Sequence, residues 1–307
     1  MEKQATDSLN ILTPWLPSEG QVNGYQAVIK AELILENISE FPTLPTIYSS
    51  LADALADPCS TTRDVSRIIS CDQASTSKIL KIVNSPLYGY PGQIDTVSRA
   101  IVVLGYNEIS NLVLTSQIMD LFSKRESLLD FRPVDFWGHS IAVGIATRHI
   151  GKALGLAKQD NFFTAGVLHD IGKLVFFEFA SDQFTRALEW AKKHRLPIQA
   201  AEWEIFGTDH AYTGALLAEK WLLPQSIVQA LRFHETGIAP ETDPKLIASV
   251  HLGNALVRAL ELGYPGDDLI LQPKQEALDI LKLEPGILTQ IVPNLLKDYE
   301  EITRILL

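Results

Sequence analysis

Along most of the chain, apolar residues recur every three or four positions, the spacing that gathers them on one face of an α-helix. An irregular arm rich in Pro and Gly is predicted over residues 1–25, followed by a helical stripe of Val28, Ile29, Leu33, Ile34 and Leu35. Pro42 and Pro45 end that stripe, and Pro45 suits the first turn of a next helix carrying Ile47, Leu51 and Leu55. Further helices are predicted over 62–70, with Thr61 or Thr62 as N-cap, and over 73–84, 96–104 and 108–122. A loop rich in Pro and Gly spans 85–92, and the charged run 124–133 reads as a linker. Beyond it come predicted helices at 134–154, 160–179, 182–194, 197–205, 209–221, 224–234 and 244–262. Two more follow at 273–281 and 285–306, the last interrupted at Pro293. Strand-like alternation is scarce, and no repeat of roughly 20–50 residues marks a solenoid. The expectation is an all-α, two-lobed helical bundle, with lobes at 26–123 and 134–265 and C-terminal helices at 266–307.

Composition narrows the function more than the fold. A chain of 307 residues has room for two modest cores. Its net charge of −11 argues against general affinity for nucleic acid or anionic membrane. The segment 61–84 has the rhythm of a helix-turn-helix, but sets only Arg63, Arg67, Lys78 and Lys81 against Asp64 and Asp72. That is a thin footprint for phosphate contacts, and nucleic acid is not expected as a partner. Cys59 and Cys71 form no C-x-x-C motif and point to a reducing compartment. Met1–Asp7 lacks a signal-peptide pattern, and no apolar run approaches the ~20 residues of a membrane span. A cytoplasmic protein is expected.

The chemistry concentrates in the second half. His169 and Asp170 are adjacent inside the apolar run Leu168-His169-Asp170-Ile171-Gly172-Lys173. A carboxylate buried there is costly unless a metal ion or a histidine compensates it. The dipeptide alone is a weak sign of a site. Lys173, one turn on, reads either as a solvated helix residue, the favoured reading, or as a holder of substrate phosphate. His149 reads as a helix C-terminal residue facing the dipole, His194 as surface, and His251 as a core or boundary histidine. The aromatic loop Pro86–Pro91 is read as packing between the halves, with an exposed partner site as the alternative.

Several motifs occur together and in order. They are Phe136-Trp137-Gly138-His139, Gly166-Val167-Leu168-His169-Asp170-Ile171-Gly172-Lys173, Gly207-Thr208-Asp209-His210 and Phe233-His234-Glu235. Leu44-Pro45, Asp72, Lys78–Ser85 and Ala100–Gly105 precede them. From about residue 35 to 260 the chain resembles the HDOD domain family of the HD superfamily. The resemblance implies a centre at His139, His169, Asp170 and Asn254, with His210 and His234 matching ligands for a second metal in the related HD-GYP phosphodiesterases. Asn254 stands where catalytic relatives carry aspartate, and one member of a doubled histidine is replaced by either Phe233 or Glu235. The Gly-Tyr-Pro motif is absent, with Thr236-Gly237-Ile238 in its place. The expectation is therefore a signal-transduction protein, non-catalytic, acting through a protein partner. It would keep a vestigial or structural site for iron, manganese, nickel or zinc with an incomplete ligand set. The alternative is a metal-dependent phosphohydrolase or phosphodiesterase using Asp170 and Lys173 on a cyclic nucleotide.

Overall fold

A computed structural model describes residues 46–307, apart from 58, 123–125, 157–159, 240–242 and 285. The predicted arm, the stripe at 28–35, Pro42, Pro45 and part of the linker lie outside the described residues. The first lobe holds α1 (Thr46–Ala56), α2 (Thr62–Ser70), α3 (Gln73–Val83), α4 (Val97–Leu104) and α5 (Tyr106–Leu121). The second holds α6 (Pro133–Ala153), α7 (Phe162–Leu168), α8 (Ile171–Phe179), α9 (Ser181–His194), α10 (Ile198–Phe206), α11 (His210–Lys220), α12 (Gln225–Phe233) and α13 (Pro244–Ala259). Two C-terminal helices follow, α14 (Gln275–Leu281) and α15 (Ile287–Leu306). Among the described residues the only β pairing is an isolated bridge between Leu128 and Phe131.

Side-chain caps place several helix starts. Thr61 and Asp64 form a reciprocal capping box at α2. Asp72, Thr96, Asp209 and Asp243 each accept a first-turn N–H of the helix that follows. The second lobe is organised around α6, which is buried on all sides from Phe136 to Thr147. It packs against α7, α13 and α15. At its crossing with α7 the backbones touch, because a Cβ on Gly166 would lie 2.6 Å from the Gly144 Cα.

The structure differs from expectation in two elements. The helix predicted over 160–179 is two helices, broken at His169-Asp170, where Asp170 takes φ −99° and ψ 9°. The apolar run continues through the break, so periodicity does not reveal it. Conversely, α15 runs unbroken through Pro293. The missing proline hydrogen bond is offset by burial of Ile291, Leu295, Ile302 and Leu306 along one face.

The lobes meet through α5 and α7, and α15 packs on both α6 and α3. The aromatic loop packs between them. Leu87 is buried, and Tyr88 donates its hydroxyl to Glu108 Oε1 at 2.5 Å. The Arg148 guanidinium lies 4.2 Å over the Tyr88 ring and donates to the same carboxylate at 2.6 Å. His149 reaches Asp298 on α15 at 2.8 Å, a partner rather than a helix dipole alone. His194 is exposed, with Nδ1 on the Trp190 carbonyl.

Candidate metal centre

Five elements bring six titratable side chains to one point. His139 comes from the first third of α6, His169 and Asp170 from the break between α7 and α8, and His210 from the first turn of α11. His234 and Glu235 follow the end of α12. In a regular helix adjacent side chains diverge by about 100°, so the break is what lets His169 and Asp170 converge. Gly172 sets the approach of α8 to α11: a Cβ there would lie 2.0 Å from the His210 carbonyl oxygen.

Asp170 joins two groups of donor atoms, each within 4.8 Å of one another: His139, His169 and Asp170, and Asp170, His210, His234 and Glu235. Its Oδ2 lies 3.3 Å from His169 Nε2 and 4.0 Å from His139 Nε2. Its Oδ1 lies 3.1 Å from His210 Nε2 and 3.4 Å from His234 Nε2. Glu235 Oε1 is 3.4 Å from the first of these nitrogens and 3.5 Å from the second. Lys173 is a correction to the favoured reading. It is 1% exposed, and its ammonium donates to Asp170 Oδ2 at 2.6 Å.

The ring orientations test whether a cation suits these residues. His169 Nδ1 donates to the Gly166 carbonyl, His234 Nδ1 to the Leu231 carbonyl, and His210 Nδ1 to Glu202 Oε2 at 2.6 Å. With Nδ1 carrying the proton, each Nε2 presents a lone pair to the centre. Two such lone pairs, on His210 and His234, face each other at 3.2 Å. Two acceptors cannot satisfy one another, but a proton or a metal ion between them satisfies both. Both His139 nitrogens, His169 Nε2 and Asp170 Oδ1 are buried without a hydrogen-bond partner. The donor set fits a divalent metal of the first transition row. His251 backs the site without joining it: its Nδ1 donates to the His234 carbonyl and its Nε2 accepts from the Lys274 N–H.

The electrostatics divide the centre. Burial, reinforced by His169, pushes His139 well below its usual value, and burial also lowers His169 against the pull of Asp170. Burial would lower His210 too, but Glu202 and Asp170 raise it well above the ordinary range. His234 is likewise raised, with Asp170 and Glu235 outweighing burial. Burial opposes ionisation of Asp170, yet His169, Lys173 and His210 hold it well below the usual carboxylate range. Glu235 is also well depressed, the His210 and His234 rings outweighing burial. The His210–His234 side thus calls for positive charge.

The structure therefore brings His139, His169, Asp170, His210 and His234 together. Asn254 is buried on α13, with its Oδ1 lacking a hydrogen-bond partner, and as an amide it adds no charge. Of the alternatives Phe233 and Glu235, it is Glu235 that reaches the cluster. Glu202 lies outside the residues predicted for the site, although Ile198, Glu202 and Phe206 recur every four residues on the buried face of α10 and mark a carboxylate at a core position.

The HDOD domain family model matches residues 41–236. An uncharacterised protein of Treponema pallidum (strain Nichols) is 26% identical over 241 residues, 78% of this chain and 46% of its own, so the chain spans about half the length of that curated relative. The solved structure of an HDOD domain protein from Geobacter sulfurreducens superposes with a TM-score of 0.75 at 22% identity, covering 90% of this chain and 97% of the other. A structure from Shewanella amazonensis SB2B, provisionally described as a phosphohydrolase, gives a TM-score of 0.68 at 23% identity, covering 89% and 98%. These structural likenesses carry the fold. With the family pattern spanning well over half of its length, the chain belongs to the HDOD domain family.

Proposed function

We propose that this HDOD protein is a signal-transduction module that acts through a protein partner without hydrolysing a substrate, and that its histidine–carboxylate centre holds a divalent metal as a support for the second lobe. The observation that carries this reading is closure. His139, His169, Asp170, His210 and His234 are each 0% exposed. A catalytic metal keeps a coordination position open to water or substrate, whereas a structural one is enclosed by protein ligands. Lys173 is committed to Asp170 instead of facing a substrate phosphate. A metal held only by the native state stabilises by mass action, by about 2.7 kcal/mol at a hundredfold excess over Kd.

Elemental analysis of purified protein beside a His169→Ala/Asp170→Ala variant tests the proposal. The expected result is bound metal in the native protein, none in the variant, and a lower Tm for the variant. Native protein free of metal, with unchanged melting in the variant, would overturn it. A second reading, a phosphohydrolase acting on a cyclic nucleotide, draws on Glu235, whose side chain is 15% exposed and brings the cluster to the edge of the fold. Incubation with manganese or iron and a panel of phosphodiesters separates the two. Turnover that disappears in Asp170→Ala would replace the regulatory reading with the enzymatic one.

A further inference from the structure

We infer that the centre takes a single divalent ion, held by Asp170 Oδ1, His210 Nε2, His234 Nε2 and Glu235 Oε1, and that the Lys173 ammonium fills the role of a second cation on the Oδ2 side of Asp170. The inference rests on the metal-binding reading above and specifies its stoichiometry and ligands.

Four-coordinate ligands about 2.0–2.1 Å from an ion stand about 3.3–3.4 Å from one another. Five separations among these four atoms are 3.1, 3.2, 3.4, 3.4 and 3.5 Å. Five of the six edges of a tetrahedron are thus already near the required length, the sixth pair, Asp170 Oδ1 and Glu235 Oε1, lies within 4.8 Å, and two of the donors are imidazoles oriented by bonds on their far nitrogens.

The other side of Asp170 is built differently. His139 Nε2 is 4.0 Å from Oδ2, longer than such an edge. That oxygen is already held by Lys173 at 2.6 Å, so an ion on it would lie against a buried ammonium. Asn254, buried with its Oδ1 unpartnered, is an amide and brings no charge to balance a second ion.

Charge balance agrees. Asp170, Glu202 and Glu235 bring three negative charges and Lys173 one positive, which leaves the charge that one divalent ion neutralises. Glu202 belongs in this balance because it bonds both the Nδ1 and the backbone N–H of His210. Glu235 is therefore the residue that closes the ligand set, in a place where the histidine pattern reads as broken.

The test is reconstitution of the full chain with cobalt(II), read by metal-to-protein ratio and visible absorption. The expected native result is one ion per chain with the intense visible bands of four-coordinate cobalt. Glu235→Gln should lower cobalt affinity at least tenfold and change the bands, while His139→Ala should keep one ion and the native spectrum. Lys173→Met combined with Asn254→Asp should raise the ratio to two, with folding checked by circular dichroism. Two ions per native chain, a six-coordinate spectrum, or loss of the ion in His139→Ala but not in Glu235→Gln would overturn the one-ion assignment. A native chain that takes no ion would overturn the metal-binding reading itself, a failure distinct from the others.

Discussion

Lys173 shows how little a residue's type says about its surroundings. The sequence offers a lysine one turn from an aspartate, and the ordinary fate of such a pair is a solvated helix face. Here both are buried and bonded at 2.6 Å. Removing one partner of a buried pair leaves an uncompensated charge, at a cost of about 3–5 kcal/mol. Lys173→Met in metal-free protein should lose stability on that scale in denaturant titration. Glu202 acts one shell further out, by orienting His210. Glu202→Gln should weaken metal binding about 10–100-fold while leaving the ligands in place, as competition with a chelator would measure. The pH response follows from the histidines. The folded values of His210 and His234 lie above their unfolded value near 6.5, so the folded state holds an extra proton at this pair, whose Nε2 atoms face each other. Their contribution is fully present below about pH 6.5 and is lost as pH rises through the folded values. Metal-free protein should therefore melt at lower temperature as the pH is raised above neutrality, and a saturating divalent ion should flatten that dependence.

At the scale of elements, two kinds of position behave differently. Caps are local. Asp72 accepts the Ala74 N–H at the start of α3, and Asp72→Ala should cost about 1 kcal/mol without altering metal content. Close approaches are not local. At Gly172 an added methyl group would meet backbone of α11, which has no rotamer through which to yield. Gly172→Ala should cost about 3 kcal/mol, the upper end of ordinary overpacking. It should also lower metal affinity, because α11 carries His210. Thermal melts beside metal titration separate the two variants. Most helices were legible, as was the cap at Thr61, because a 3.6-residue stripe and an N-cap are both local patterns. The break at His169-Asp170 was not, because apolar residues occupy both sides of it. The continuity of α15 through Pro293 was not legible either, because packing against other helices outweighs the missing bond there.

Across the whole molecule, the lobes are joined by a buried charged contact as well as by apolar surface. Glu108 is raised by burial, with Arg148 and the Tyr88 hydroxyl opposing that shift. Arg148 and Glu108 come from different lobes, and their side chains are only 16% and 5% exposed. Arg148→Ala should leave Glu108 buried without its cation and cost about 3 kcal/mol or more. Because the site lies within the second lobe, metal content should persist while global unfolding shifts to lower denaturant. The C-terminal helix adds a second tie, through His149 and Asp298 on α6 and α15.

The amino-acid sequence by itself determined the all-α class, most helix limits, the family and the histidine–aspartate core of the site. Each of these is written in short-range periodicity or in residues adjacent along the chain. The tertiary structure alone decided that Lys173 faces inward, that Glu202 orients His210, and that Glu235 rather than Phe233 reaches the buried histidine–aspartate cluster. Those residues are joined across α8, α10, α11 and the end of α12, and the approach of α8 to α11 depends on a backbone contact that Gly172 permits. No spacing along the chain encodes that meeting, so the charge balance of the centre emerges only when the helices pack.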